Sequence, residues 1–237
     1  TFEGGNKMVF TDVIEYFHSF QGEAPYVGEQ SIFVRFRYCN LMKVCPFCDT
    51  LNKMNSDVNL AIPMKSVIQQ IEQTSCKCLT FTGGEPLLPQ YLKQIKEFID
   101  NHYSKHIVKH SCKILIETNG HPIKTNIDDI SSIKPFIKLI WSPKFLKEDD
   151  LQLNKSIYDV LKQHHFDFYI KPVVYAQILE VLDDFLTYVS EYRHRIYLMP
   201  KGASDEELKA NSKQAIDLAF THKLQISPRM HLTYNLP

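Results

Sequence analysis

Cys39, Cys45 and Cys48 place three thiols within ten residues, in the stretch Cys39-Asn-Leu-Met-Lys-Val-Cys45-Pro-Phe-Cys48-Asp-Thr. Three thiolates can hold a [4Fe-4S] cluster and leave its fourth iron open. A closed structural zinc site or a fully ligated electron-transfer cluster needs a fourth protein ligand. An open iron can chelate a small molecule, and chemistry is expected at that vacancy. The spacing of Cys45 and Cys48 suits two thiolates on one centre, Pro46 helps set the turn, and Phe47 can shield a cluster or pack against a bound ring. On the triplet alone, zinc binding and accidental clustering are the alternatives. Cys76, Cys78 and Cys112 lie in or beside apolar runs and read as core fillers.

Other polar motifs recur along the chain. In Thr82-Gly83-Gly84-Glu85-Pro86, two glycines allow backbone to approach a ligand, and their N–H groups can receive a carboxylate. Glu85 could bind an ammonium; the plainer reading is a strand-to-helix turn. Glu117 and Asn119 offer acceptors and a donor suited to ribose hydroxyls, or form a turn with Gly120. Ser142 and Lys144 could grip a carboxylate or simply face solvent. Arg35, among Phe33, Val34 and Phe36, either points outward or needs an anionic partner, which a substrate carboxylate would supply. The chain stops at Pro237, whose carboxylate is a possible recognition group.

These motifs need a scaffold. Strands are expected at Ile32 to Arg37, Cys78 to Thr82, Lys113 to Glu117, Ile137 to Trp141, Phe166 to Lys171 and Arg195 to Met199. Helical spacing appears at Met64, Val67, Ile68 and Ile71, at Leu92, Ile95, Phe98 and Ile99, and at Ile178, Val181, Leu182 and Phe185. Ser204 with Glu207 reads as a capping box. The alternation implies an α/β fold with a mostly parallel sheet covered by helices. In such folds ligands bind beyond the carboxyl ends of the strands, and five of the polar loops lie there.

The 27 basic and 27 acidic side chains cancel, which disfavours a polynucleotide partner. Neither a membrane-spanning run nor a secretion signal is evident, so the expected protein is soluble and cytoplasmic. Thr1 to Lys7, with its Gly-Gly pair, reads as a leading tail, leaving residues 8–237 as one domain.

Together these residues resemble the radical S-adenosylmethionine superfamily, and within it the 7-carboxy-7-deazaguanine synthases of the queuosine-type pathway. The cysteine triplet and Gly83-Gly84-Glu85 carry the superfamily likeness. The narrower one rests on Ser19-Phe20-Gln21-Gly22-Glu23, Phe33-Val34-Arg35, Cys48-Asp49-Thr50, Glu117-Thr118-Asn119-Gly120, Ser142-Pro143-Lys144, Leu198-Met199-Pro200 and Pro228-Arg229-Met230-His231.

The resemblance implies a shortened, incomplete β/α barrel of about six mostly parallel strands. Cys39, Cys45 and Cys48 would hold the [4Fe-4S] cluster, whose open iron takes the amino and carboxylate groups of S-adenosylmethionine. Phe47, Cys48, Asp49, Gly83, Gly84 and Glu85 would line that cofactor on one side. Ser142, Pro143, Lys144, Met199, Pro200, Lys201 and Gly202 would line it on the other, with Glu117 and Asn119 near its ribose. The implied substrate is 6-carboxy-5,6,7,8-tetrahydropterin, surrounded by Phe20, Gln21, Gly22, Glu23, Arg35, Thr82, His231 and the Pro237 carboxylate. Thr50 would ligate a Mg²⁺ bridging to substrate oxygens.

The implied reaction begins with reductive cleavage of the cofactor to a 5′-deoxyadenosyl radical. Hydrogen abstraction at substrate C6, ring contraction and loss of ammonia follow. A flavodoxin or ferredoxin as electron donor and a homodimer are also implied. The chain departs from the family pattern at three points: five residues rather than three separate Cys39 from Cys45, and Tyr38 and Ala24 stand where glycine is usual. Two rival readings are a radical enzyme or activase acting on another substrate, and a non-catalytic zinc-binding module.

Overall fold

A computed structural model describes residues 8–42, 45, 47, 48 and 50–236. Among the described residues ten strands are present: β1 (Val9–Phe20), β2 (Gln30–Phe36), β3 (Leu60–Pro63), β4 (Cys78–Gly83), β5 (Lys113–Thr118), β6 (Ile137–Trp141), β7 (Phe168–Ile170), β8 (Val173–Val174), β9 (Tyr197–Pro200) and β10 (Gln225–Ile226). The helices are α1 (Leu51–Met54), α2 (Met64–Thr74), α3 (Pro89–His102), α4 (Ile127–Ile133), α5 (Asp150–Gln163), α6 (Leu179–Tyr188), α7 (Asp205–His222) and α8 (Met230–Thr233). All six expected strands form, as β2, β4, β5, β6, β7 and β9.

Seven strands make one sheet in the order β3-β1-β2-β4-β5-β6-β7, and β10-β9-β8 make a second. From β2 through β7 every pairing is parallel, and an Ile170–Ile196 bridge leads toward the second sheet. The result is the partial α/β barrel expected. β1 and β3 were not anticipated. β1 runs antiparallel to both of its neighbours, and its alternation is interrupted by register shifts beside Asp12, whose φ is 54°. An irregular strand of this kind loses the period-2 signature by which strands are read.

The period-2 alternation of the parallel strands divides their side chains between two faces. Ile32, Val34 and Phe36 of β2, Leu79 and Phe81 of β4, and Ile114 and Ile116 of β5 enter the hydrophobic core beneath the helices. Phe36 stacks on Tyr91 of α3 with centroids 4.2 Å apart. Met64, Val67, Ile68 and Ile71 are the buried stripe of α2, as their spacing requires. Ser204 caps α7, its side chain accepting from the Glu207 N–H at 3.3 Å. α5 was not anticipated, because the buried Asp150 and Asn154 interrupt its apolar stripe. No helix among the described residues is long and apolar enough to cross a membrane.

Candidate active site

The strand residues that alternate with the core face point into a cavity of about 500 Å³. Arg35 of β2 is the register partner of Thr82 of β4, and the Thr82 hydroxyl donates to Glu117 of β5 at 2.6 Å. Glu117 in turn is the register partner of Ile140 of β6. One inward row across four parallel strands therefore supplies a cation, a hydroxyl, a carboxylate and an apolar floor, all lining the cavity. Each is fixed by strand register rather than by a loop.

Arg35 already has an anionic partner within the chain: its Nε lies 2.6 Å from Glu15 of β1, and its Nη1 reaches Thr50 at 3.3 Å. The anionic partner expected for an inward Arg35 is thus present within the chain as Glu15. Glu15 also pairs with Lys53 at 2.6 Å.

The cysteine loop forms a second wall, contributing Cys39, Cys45, Phe47, Cys48 and Thr50. All six cysteines are free of disulfide bonds. Burial pushes the Cys39 thiol up to about 11; the Leu41 N–H at 3.3 Å and the Asn119 amide at 3.7 Å supply donors to its sulfur. Among the described residues no three His, Cys, Asp or Glu side chains converge closely enough to hold a metal ion. The thiols thus share one wall without forming a closed ligand cage. As a donor set they fit an iron–sulfur cluster: three disulfide-free sulfurs on one loop facing the same cavity. Asp49 and Pro46 lie outside the described residues.

Gly83 and Gly84 line the cavity at the end of β4. Gly84 donates its N–H to the Phe36 carbonyl at 2.8 Å, and a Cβ on Gly84 would sit 1.9 Å from the Tyr38 carbonyl oxygen. Gly84→Ala is therefore expected to destabilise the fold by about 1–3 kcal/mol as backbone is forced apart. Thermal unfolding checks this, and an unchanged midpoint would show that the contact yields freely. Neither Tyr38 nor Ala24 has a positive φ, so both departures from glycine occur where an ordinary residue fits.

Glu85 is placed differently from expectation. It is fully buried and does not line the cavity; it accepts from Thr118 Oγ1 at 2.7 Å, Asn119 N at 2.8 Å and Leu87 N at 3.0 Å. Burial pushes its pKa up to about 7 against the pull of these donors. Glu85 is a strut that ties the ends of β4 and β5, and the cavity wall here is glycine backbone. Pro143 and Pro200 are likewise turned into the interior, while their neighbours Ser142, Lys144, Met199, Lys201 and Gly202 reach the cavity. Lys144 donates to Ser142 at 2.7 Å and lies 5.6 Å from the centroid of the Phe47 ring. Asn119 presents its amide to Asn40 at 2.8 Å.

The remaining wall joins the β1–β2 connection to the C-terminal segment. Phe20, Gln21, Gly22, Glu23 and His231 line it, and the Met230 N–H donates to the Gly22 carbonyl at 2.8 Å. A Cβ on Gly22 would come within 2.6 Å of the His231 ring. Pro237 lies outside the described residues. Sequence reading missed Lys171, Arg229 and Glu207 here, although all three line the cavity. A charge directly after the strand run Phe168 to Ile170 was the available signal for Lys171.

Lys171 is only 4% exposed and lies 2.5 Å from Glu23 and 3.7 Å from Glu117. Arg229 stands 3.3 Å from Glu23. Burial favours the neutral acid in Glu23, but Lys171, Arg229 and His231 outweigh it and bring the pKa from the ordinary 4.5 down to about 2. Burial opposes charge on Lys171 too, yet Glu23 and Glu117 hold its pKa above the ordinary lysine value of 10.5.

A depressed carboxylate stabilises the fold fully above its unfolded pKa, and that contribution fades as pH falls toward the folded value. A raised lysine stabilises below its unfolded pKa and loses its contribution as pH rises through the folded value. The network should therefore act fully between about 4.5 and 10.5. Unfolding midpoints of Glu23→Gln and wild type should converge as pH drops from 4.5 toward 2; a constant gap would remove Glu23 as the titrating group.

No family model matches the chain. It is 28% identical over 233 residues to the 7-carboxy-7-deazaguanine synthase of Hyperthermus butylicus, covering 95% of this chain and 93% of that protein. The synthase of Rhodopirellula baltica is 26% identical, with 94% and 85% covered. Among solved structures, QueE from Escherichia coli aligns with a TM-score of 0.61 at 19% identity over 94% of this chain and 95% of that one. Native anSMEcpe with bound AdoMet and Cp18Cys peptide aligns at 0.52 and 15% identity, with 80% and 60% covered.

The partial barrel that frames this cysteine-lined cavity has the fold of QueE and anSMEcpe. In sequence the chain is similar along nearly its whole length to 7-carboxy-7-deazaguanine synthases.

Proposed function

We propose that this protein converts 6-carboxy-5,6,7,8-tetrahydropterin to 7-carboxy-7-deazaguanine, with residues 8–237 acting as one domain. The observation that carries the reading is the single cavity in which a three-thiol loop and Gly83-Gly84 face Gln21, Glu23, Arg35, Thr82 and His231. Its support in sequence is the end-to-end likeness to synthases of that name. A bound [4Fe-4S] cluster with S-adenosylmethionine would supply one-electron cleavage and a carbon radical able to take hydrogen from substrate C6.

The chain's own residues bind and orient. Cys39, Cys45 and Cys48 would hold the cluster, Gly83 and Gly84 would let backbone meet the amino acid end of the cofactor, and Glu117 and Asn119 would face its ribose. Arg35, fixed by Glu15, would receive the substrate carboxylate as a second anion on its guanidinium. Gln21, Glu23 and His231 would hold the pterin edge. Held contact between the reacting carbons, with the C-terminal segment against Gly22 limiting water, is the protein's share of the catalysis.

Thr50 is the candidate Mg²⁺ ligand, its hydroxyl lying beside Arg35. Thr50→Ala is expected to weaken the Mg²⁺ dependence of turnover, on the order of 10-fold in the Mg²⁺ needed for half-maximal rate; an unchanged Mg²⁺ titration would remove it. A flavodoxin or ferredoxin donor, a homodimer and a cytoplasmic location complete the proposal.

Anaerobic reconstitution with iron and sulfide, then incubation with reductant, S-adenosylmethionine, Mg²⁺ and the pterin, tests the reading by mass spectrometry. Formation of 7-carboxy-7-deazaguanine supports it. Cofactor cleavage without that product would keep the radical chemistry and reject this substrate; a colourless, zinc-loaded protein would reject both.

A further inference from the structure

Lys171 is the first residue after β7, and its backbone N–H is anchored to the Trp141 carbonyl at 2.7 Å. Its ammonium lies between two carboxylates on different elements: Glu23 on the β1–β2 connection at 2.5 Å, and Glu117 on β5 at 3.7 Å. All three side chains line the cavity.

Each carboxylate also has other partners. Glu23 faces Arg229 at 3.3 Å, while Glu117 accepts from Thr82 at 2.6 Å and Gln21 at 3.3 Å. Lys171 is therefore not needed merely to give Glu23 a cation. What it adds is a tie between the wall assigned to the pterin and the wall assigned to the cofactor ribose. Two carboxylates this close would repel across a buried space without it, and small displacements of positioned groups cost much in rate.

We propose that Lys171 is a positioning residue that bridges Glu23 and Glu117 and so holds the substrate and cofactor subsites in register. The proposal rests on the reading of the site given above. Neither carboxylate can shift without drawing on the same ammonium, so the two subsites share one rigid element. Lysine suits this place because its three N–H donors on a single nitrogen can serve carboxylates approaching from different directions.

The test compares wild type, Lys171→Met and Lys171→Arg, each reconstituted anaerobically. Two quantities are read: S-adenosylmethionine affinity by calorimetry, and turnover of the pterin. Lys171→Met is expected to weaken cofactor binding on the order of 10-fold and to lower kcat on the order of 100-fold. Lys171→Arg, which keeps the charge, should recover most of the cofactor affinity.

A folded Lys171→Met protein with a lower unfolding temperature but wild-type cofactor affinity would overturn the proposal and leave Lys171 a buried counter-ion. Should wild type fail to convert the pterin, the proposed reaction falls, while the calorimetric comparison still decides the role of Lys171. If Lys171→Met does not fold, wild type is compared with Glu23→Gln, which keeps the lysine and removes the pterin-side end of the bridge. Weaker cofactor binding in Glu23→Gln supports the bridge, and wild-type cofactor binding overturns it.

Discussion

Cys45→Ala protein is expected to emerge from anaerobic reconstitution without the brown colour of wild type, with iron far below four per chain and with cofactor cleavage below detection. Three thiolates are the minimum that leaves one iron open, and two cannot hold the remaining irons against solvent and chelators. The fold should survive, because Cys45 is half-buried on a loop and belongs to no strand or core cluster. Cys76→Ala supplies the contrast. That thiol is fully buried in the hydrophobic core, so its loss should lower the unfolding temperature and leave colour and iron content intact. Iron analysis with thermal unfolding separates the two; wild-type iron in Cys45→Ala would take this cysteine out of the ligand set.

Arg35→Ala is expected to lower turnover by about 10²–10³-fold, the usual cost of deleting a charged group aimed at a reacting substrate, while iron content and cofactor affinity stay near wild type. The ion-pair geometry explains why fold and activity should separate. Glu15 keeps Lys53 at 2.6 Å when Arg35 is gone, so no carboxylate is stranded without a cation. Thr50 would lose its 3.3 Å neighbour, so the variant's Mg²⁺ requirement should be measured too. Equal loss of cluster, cofactor binding and turnover would mean that Arg35 is structural. Adding the pterin at high concentration separates a binding defect, which it would relieve, from misplacement, which it would not.

Much of this organisation was legible in the chain because it is local. Six strands announced themselves by β-branched and aromatic runs, α2 by its apolar spacing, and α7 by the Ser204–Glu207 cap. The placing of polar loops after strand ends also needed only the alternation of elements, and the cavity collects residues from all of those loops. β1 stayed hidden because its register shifts beside Asp12 break the alternation that reveals a strand.

By itself the sequence determined the donor types, their order and the class of fold that could display them: three thiols, a Gly-Gly turn, and charged residues at the ends of parallel strands. Only the tertiary structure decided which partner each charge meets. Glu15 compensates Arg35 from 20 residues away, Lys171 reaches Glu23 across 148, and Glu85 turns inward to brace Thr118 and Asn119 rather than face a ligand. Such pairings depend on strand register and on which face a side chain occupies, and a shift of one residue exchanges cavity for core. Packing of the whole barrel sets that register, so these partners could not be read from spacing along the chain.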